Sequence, residues 1–352
     1  MSPRRQRPRT GKTAWFKPSG HYSERVPALA PRRYAYLGPA GTFTEQALRS
    51  LPEADGAELH PCTTVSIALD EVRAGRVDGA VVPIENSVEG SVSVTLDELA
   101  SGDPLLITRE MTVPVTFSLV ARQNLGAESI KVIGTHPHAA AQTRGWVSQH
   151  LPGAMVVPAA STAAAAEALA SGHTEWDAAI CAPLAATAYG LTTVAEGIGD
   201  NPAAQTRFVL VGRAGMSVPP TGADKTTLVV YIRDDHAGAL LELLEEFNLR
   251  GVNLSRIESR PTGVGLGKYC FSIDCEGHIE DARVGEALMG LKRSCADVRF
   301  LGSYPRVDGQ APQVKHGASD EEFHDATAWL ARLRNGRSSG SADPGPLTRG
   351  KP

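Results

Sequence analysis

Tyr34-Ala35-Tyr36-Leu37-Gly38-Pro39-Ala40-Gly41-Thr42-Phe43-Thr44-Glu45 sets a short apolar run directly against a turn and a helix start. Tyr34 to Leu37 reads as a strand and Gly38 to Gly41 as a tight turn. Thr42 and Glu45 have the spacing of a capping box ahead of the apolar positions Leu48 and Leu51. A helix opening at the C-terminal end of a strand is the repeating unit of an α/β fold.

Outward from this unit the pattern repeats. Val65, Ala68, Leu69 and Val72 lie at helical spacing, the helix ends at Gly75, and Val77 to Pro83 reads as a buried strand. Strands near Lys131 to Gly134 and Met155 to Pro158, a helix from Ser161-Thr162 to Gly172, and a strand at Ala178 to Cys181 form a second set. Two similar lobes of largely parallel strands are expected, about 34–111 with 198–212, and 112–197. The Gly- and Pro-bearing stretch 213–224 reads as a linker. Over 225–305 the order becomes β-α-β-β-α-β, that of an α+β ferredoxin-like sandwich. Leu240, Leu243, Leu244 and Phe247, then Val284, Ala287, Leu288 and Leu291, form its two apolar helix stripes, and Tyr269, Phe271 and Ile273 alternate with polar residues.

The 352 residues, 42% hydrophobic, suffice for a full core divided between two or three compact units. No apolar run approaches the roughly 18 residues of a membrane span, and the N-terminus lacks a secretory core, so a cytoplasmic protein without a membrane partner is expected. The five cysteines are scattered without a C-x-x-C pair, which suggests reduced structural thiols rather than zinc or redox chemistry. Residues 1–33 carry nine Lys or Arg against the single acid Glu24, the composition of a disordered basic arm. No nucleic-acid reading element follows it, so a nucleic-acid partner is not expected. The Gly-, Ser- and Pro-rich tail 306–352 is interrupted by a short expected helix from Glu321 to Arg334, with Phe323, Ala326, Trp329 and Leu330 on one face.

Candidate chemistry gathers at strand ends. Helix starts expected at Thr42, near Ser87 and at Ser161 each offer unpaired N–H groups and a hydroxyl, a set able to hold a multi-anionic ligand, although Ser and Thr are also ordinary N-caps. Pro83-Ile84-Glu85-Asn86-Ser87-Val88-Glu89-Gly90-Ser91 packs polar groups where open α/β sheets place ligands, or else forms a plain turn. Thr206-Arg207-Phe208 joins a hydroxyl, a permanent cation and an aromatic face ahead of Val209-Leu210-Val211; this suits an anionic, ring-shaped substrate, while spacing alone favours an edge strand with a solvated Arg. His136-Pro137-His138 has no carboxylate or thiol at ligand spacing, and reads as a turn rather than a metal site.

In order, Tyr36-Leu37-Gly38-Pro39-Ala40-Gly41-Thr42-Phe43-Thr44-Glu45, Val82-Pro83-Ile84-Glu85-Asn86-Ser87 and Thr206-Arg207-Phe208 resemble the catalytic signatures of the prephenate dehydratase family. Gly238-Ala239-Leu240-Leu241, Gly251-Val252-Asn253-Leu254 and Glu258-Ser259-Arg260-Pro261 resemble the regulatory motifs of its ACT domain, so the likeness spans residues 34–305. It implies a two-lobed catalytic domain similar to type II periplasmic binding proteins, with the active site in the cleft, followed by the ferredoxin-like ACT domain. It also implies L-phenylalanine as effector at a subunit interface, held by Gly238, Ala239, Leu240, Leu241, Asn253, Leu254, Glu258, Ser259 and Arg260, in a homodimer or homotetramer. Two positions depart from the family pattern: Ala237 replaces its usual Pro, and His138 its usual Gln. With 33 residues before the first strand, a chorismate mutase helix is not expected, and the resemblance is to monofunctional members.

The implied reaction converts prephenate to phenylpyruvate by loss of water and carbon dioxide, driven by aromatisation and needing no cofactor or metal. On this reading Thr206 bonds the leaving oxygen, and the proton comes either through its hydroxyl or from Glu85 if burial keeps that carboxyl protonated. Thr42, Asn86, Ser87, Ser161, Thr162, Arg207 and Phe208 bind the substrate. Arogenate dehydration, and a non-catalytic metabolite sensor of the same architecture, are the alternatives; the presence of Thr206, Arg207, Phe208 and Glu85 argues for the enzyme.

Overall fold

The structure, a computed structural model, describes residues 32–172, 174–215, 218–263, 265 and 268–336. The expected basic arm lies outside the described residues apart from Arg32 and Arg33.

The first lobe contains β1 (Arg33–Leu37), α1 (Phe43–Arg49), β2 (Glu58–Cys62), α2 (Val65–Arg73), β3 (Gly79–Asn86), β4 (Gly90–Ser91), α3 (Ser93–Ala100) and β5 (Leu105–Pro114). The second contains β6 (Ser118–Ala121), β7 (Val132–Thr135), α4 (Pro137–Gln142), α5 (Arg144–His150), β8 (Met155–Pro158), α6 (Thr162–Ser171), β9 (Ala178–Cys181), α7 (Pro183–Ala188) and β10 (Thr192–Ala195). Strand β11 (Gln205–Arg213) then returns to the first lobe, giving the sheet orders β2-β1-β3-β11-β5, with β4 on β3, and β10-β6-β9-β7-β8. Each sheet combines a parallel part, β2-β1-β3 and β8-β7-β9, with an antiparallel part: the returning strand β11 runs against both β3 and β5, and β6 runs against both β9 and β10.

The helical spacing read from the sequence is the burial pattern observed. Val65, Ala68, Leu69 and Val72 of α2 are buried against the sheet, each fully buried Val or Leu side chain contributing roughly 1.5–3 kcal/mol. Thr64 caps that helix, and Ser161 and a left-handed Gly172 bound α6. Residues Val115, Phe117, Ile198 and Ala204 pack together in the second lobe's core, so the two crossings between lobes fall beside Pro114 and Gln205.

The third sheet, β13-β14-β12-β15, is antiparallel throughout and is formed by β12 (Asp224–Tyr231), β13 (Leu254–Pro261), β14 (Tyr269–Glu276) and β15 (Asp297–Pro305). Helices α8 (Ala239–Asn248) and α9 (Ala282–Ser294) cover one face through Leu243, Phe247, Val284, Ala287 and Leu291. Its other face joins the first lobe: Val229, Cys270, Leu301 and Tyr304 share a core with Leu99, Leu105 and Ile107. Strand β15 crosses β5 so closely that a Cβ at Gly302 would lie 2.3 Å from the Ile107 carbonyl oxygen. Helix α10 (Asp320–Arg334) starts in a full capping box of Ser319 and Glu322. Trp329 and Leu330 on its apolar face stay 48% and 40% exposed, so that stripe does not dock into a core. All five cysteines are buried and free, and no helix among the described residues is long and apolar enough to cross a membrane.

Candidate active site

The two lobes enclose a cleft of about 630 Å³ between the ends of β1, β3 and β11 on one side and α4 and α6 on the other. Phe43, Phe117 and Phe208 supply an apolar wall, with the Phe43 and Phe117 rings edge to face at 5.8 Å. Gly41 brings the first turn onto α7: it holds φ +85°, and a Cβ there would lie 2.7 Å from the Ala185 Cα. The Tyr189 hydroxyl donates to the Ala40 carbonyl across the same seam at 2.9 Å.

Strand alternation decides which residues enter the cleft. Thr206 and Phe208 line it, whereas Arg207 between them projects from the opposite face of the sheet. The Asn86 amide nitrogen donates to the Thr206 oxygen at 2.8 Å. Its orientation is fixed, because Asn86 Oδ1 accepts from the N–H groups of Val88 and Glu89 at 2.8 and 3.0 Å. The Thr206 oxygen is thus an acceptor toward Asn86, which leaves the hydroxyl hydrogen free to donate elsewhere.

Three expectations need correction on placement. Ser87 does not open a helix: the Asn86 turn folds β3 back into β4, the next helix begins at Ser93, and Ser87 instead exchanges two 2.9 Å bonds with the backbone of Gln205. Glu85 does not line the cleft; one residue from Asn86 in an extended strand, it lies on the other face, 3.6 Å from Arg207. Arg207 does not line the cleft; its guanidinium is enclosed by Glu110, Asp274 and Tyr304.

Thr42 caps α1, accepting from the Glu45 N–H at 3.2 Å and donating to the Leu37 carbonyl at 3.0 Å. Glu45 does not complete the box; its carboxylate accepts from the Gly41 N–H at 2.6 Å. Across the cleft, Ser161 accepts from the Ala164 N–H at 2.9 Å, and Ser161 and Thr162 face the opening. Residues that sequence reasoning left out are also present: Phe43, Thr44, Glu89, Phe117, His136, His138 and Gln142. His136 is the N-cap of α4, its Nδ1 accepting from the His138 N–H at 3.2 Å. Burial, then the neighbouring His138, pushes its pKa below the ordinary histidine value. The His-Pro pair was the available signal. Glu89 reaches toward the second lobe, 3.5 Å from the Gln142 amide and 4.0 Å from His138. No Arg or Lys is among the described residues lining the cleft.

The expected effector residues do not meet in one pocket of a single chain. Leu240 and Leu241, after Gly238 and Ala239 at the start of α8, are 41% and 60% exposed. Asn253 and Leu254 line a separate groove of about 780 Å³ with Phe247 and Val314. Glu258 and Arg260 face the first lobe: Glu258 accepts from Ser91 at 3.2 Å, and Arg260 bonds Asp97 at 2.8 and 3.0 Å and Ser93 at 3.0 Å. Ser259, between them on the same strand, is exposed.

Comparison with known proteins identifies both parts. The prephenate dehydratase family matches residues 34–216 and the ACT domain family residues 226–293. A prephenate dehydratase from Amycolatopsis methanolica is 47% identical over 87% of this chain and 99% of its own. The crystal structure of a prephenate dehydratase in complex with L-Phe, from Arthrobacter aurescens, superposes with a TM-score of 0.83 at 55% identity, covering 86% of this chain and 99% of that one. The structure of GqqA, described as a novel type of quorum quenching acylase, shares the fold at 30% identity and a TM-score of 0.70, over 78% of this chain and 98% of its own. On the family match and the near full-length similarity, the chain belongs to the prephenate dehydratase family and carries its ACT domain after the catalytic unit.

Proposed function

We propose that the cleft between the lobes dehydrates and decarboxylates prephenate with Thr206 as the donor to the departing ring hydroxyl. The observation that carries this reading is the fixed Asn86 amide, which occupies the Thr206 oxygen as an acceptor and leaves its hydrogen for the leaving group. As the ring C–O bond breaks, the hydroxyl leaves as water, the C–C bond to the ring carboxylate supplies the electron pair, and carbon dioxide and phenylpyruvate result. Positioned hydrogen-bond or proton donation of this kind contributes roughly 10²- to 10⁴-fold. The wall of Phe43, Phe117 and Phe208 receives the ring.

The polarity of the cleft suits the chemistry. The ring carboxylate loses its charge on the way to carbon dioxide, so a cation clamped on it would stabilise the ground state more than the transition state. Hydroxyls of Thr42, Ser161 and Thr162, and the N–H groups opening α6, provide neutral donors instead. With Glu85 turned away, the proton source belongs among Thr206, His136 and a bound water.

Residues 34–212 form the catalytic unit and 225–305 the effector domain, which binds phenylalanine and restrains turnover. Gly238 to Leu241 and Asn253–Leu254 are split between separate surfaces, which supports a site completed by a second copy in a cytoplasmic homodimer or homotetramer. Prephenate turnover by the purified chain, with and without phenylalanine, tests the reading. It predicts phenylpyruvate formation that phenylalanine suppresses, and loss of turnover in Thr206→Ala.

A further inference from the structure

The face of β11 turned away from the cleft carries a buried charge cluster that none of the chemistry above uses. Arg207 donates from Nε to Glu110 at 2.7 Å, from Nη1 to Asp274 at 2.5 Å and from Nη2 to the Tyr304 hydroxyl at 2.8 Å. Asp274 also receives a fork from Arg256, at 3.0 and 3.1 Å, and the Thr227 hydroxyl at 2.8 Å. Lys225 donates to Glu110 at 2.8 Å. Asp274 and Tyr304 are fully buried, and the Arg207 side chain is 11% exposed.

Within the cluster, the path from Arg256 through Asp274 to Arg207 joins three strands. Arg207 belongs to β11 and is peptide-bonded to Thr206; Asp274 lies on β14; Arg256 lies on the edge strand β13, two residues before Glu258 and four before Arg260. The Arg207 and Arg256 guanidiniums share one carboxylate, so a shift of β13 draws on Asp274 and, through it, on β11. Charge-assisted bonds in a buried site yield less readily than the packing around them, which makes this a stiff link. The Asn86–Thr206 bond leaves only a few tenths of an ångström of tolerance before it weakens. Arg256 Nη1 is moreover buried without a hydrogen-bond partner, so the cluster holds an unused donor that a second arrangement of the two domains can satisfy.

We infer that Arg207 is a positioning residue, and that the chain Arg256–Asp274–Arg207 conveys the state of the effector domain to Thr206. The inference rests on the proposal that phenylalanine binds this domain and restrains turnover. It gives the otherwise paradoxical arginine beside the catalytic threonine a role on the other side of the sheet. Coupling between two sites in a protein typically corresponds to a factor of about 5–150.

The test uses the full chain and two variants, Asp274→Asn and Tyr304→Phe, with prephenate turnover and calorimetric phenylalanine binding measured on each. The native chain calibrates the suppression by saturating phenylalanine. The expected result is that the variants bind phenylalanine with Kd within about threefold of native while suppression falls by a factor in the 5–150 range for Asp274→Asn, and by less for Tyr304→Phe. A merely structural role would lower stability or turnover without separating binding from suppression. Should Asp274→Asn fail to fold, Tyr304→Phe, which removes one hydroxyl, decides alone: reduced suppression supports the relay. Native-like suppression in the folded variants overturns it. A native chain that turns over prephenate without any response to phenylalanine removes the feedback reading itself, and the relay with it.

Discussion

Asn86 and Thr206 stand opposite one another on the paired strands β3 and β11, the Asn86 amide donating to the Thr206 oxygen at 2.8 Å. Their order as donor and acceptor matters more than their proximity. Asn86→Asp keeps the turn, since a carboxylate oxygen still accepts from Val88 and Glu89, but its other oxygen captures the Thr206 hydrogen. Turnover of Asn86→Asp is therefore expected to fall by about 10²-fold with the fold intact, as read by steady-state kinetics and circular dichroism. An Asn86→Asp enzyme of native activity would show that the hydroxyl hydrogen is not needed.

Thr206→Ser retains the hydroxyl and loses one methyl group, whereas Thr206→Val retains the shape and loses the hydroxyl. The first is expected to keep most of the native kcat, and the second to lose roughly 10²-fold or more. Equal losses in the two would assign Thr206 a packing role.

Glu85 provides the contrasting case. It lies on the face away from the cleft, with its side chain 40% exposed. Glu85→Gln is predicted to leave the pH profile of kcat unchanged; loss of its acid limb would mean that Glu85 reaches the substrate after all.

Protonation of His136 must displace the N–H bond that its Nδ1 accepts, and burial and His138 already disfavour the charge, with Glu89 opposing them. A histidine pKa depressed in the folded state adds stability that is fully present above the unfolded value of about 6.5 and declines as pH falls toward the folded pKa. His136→Asn retains a side chain able to cap α4 and removes the titration. Its melting temperature should therefore fall less than that of the native chain as pH drops below about 6.5. Parallel curves would place the acid sensitivity elsewhere.

Gly41 holds the lobes in register. Gly41→Ala forces a Cβ onto a backbone at φ +85° and to 2.7 Å from the Ala185 Cα. The cost is expected to be about 1–3 kcal/mol of stability, with KM for prephenate rising more than kcat falls. Unchanged KM would show that the cleft closes without this contact.

Much of the architecture was legible because local signals agreed with one another. Thr42, Ser161 and Gly172 bound helices where their cap chemistry says they should, and the apolar stripes of α8 and α9 are the buried ones. Misplacement began where a tertiary partner overrode a local cue. Ser87 has the chemistry of a helix cap, but Asn86 closes a turn first and Gln205 takes the serine. Glu85 and Arg207 could have been placed from the period of two along their strands, since each neighbours a residue that faces the cleft; their functional look outweighed the alternation. The aromatic wall of Phe43 and Phe117, and the approach of Glu89 to Gln142, depend on closing one lobe over the other, which no local pattern encodes.

A fold shared with a protein described as a quorum quenching acylase does not by itself fix the reaction, so turnover decides. The most direct measurement is phenylpyruvate formation from prephenate by the native chain and by Thr206→Val under the same conditions. Rapid turnover by the native chain and a loss of roughly 10²-fold or more in the variant is the predicted result. Native-like turnover in Thr206→Val would contradict the assignment of the leaving-group donor.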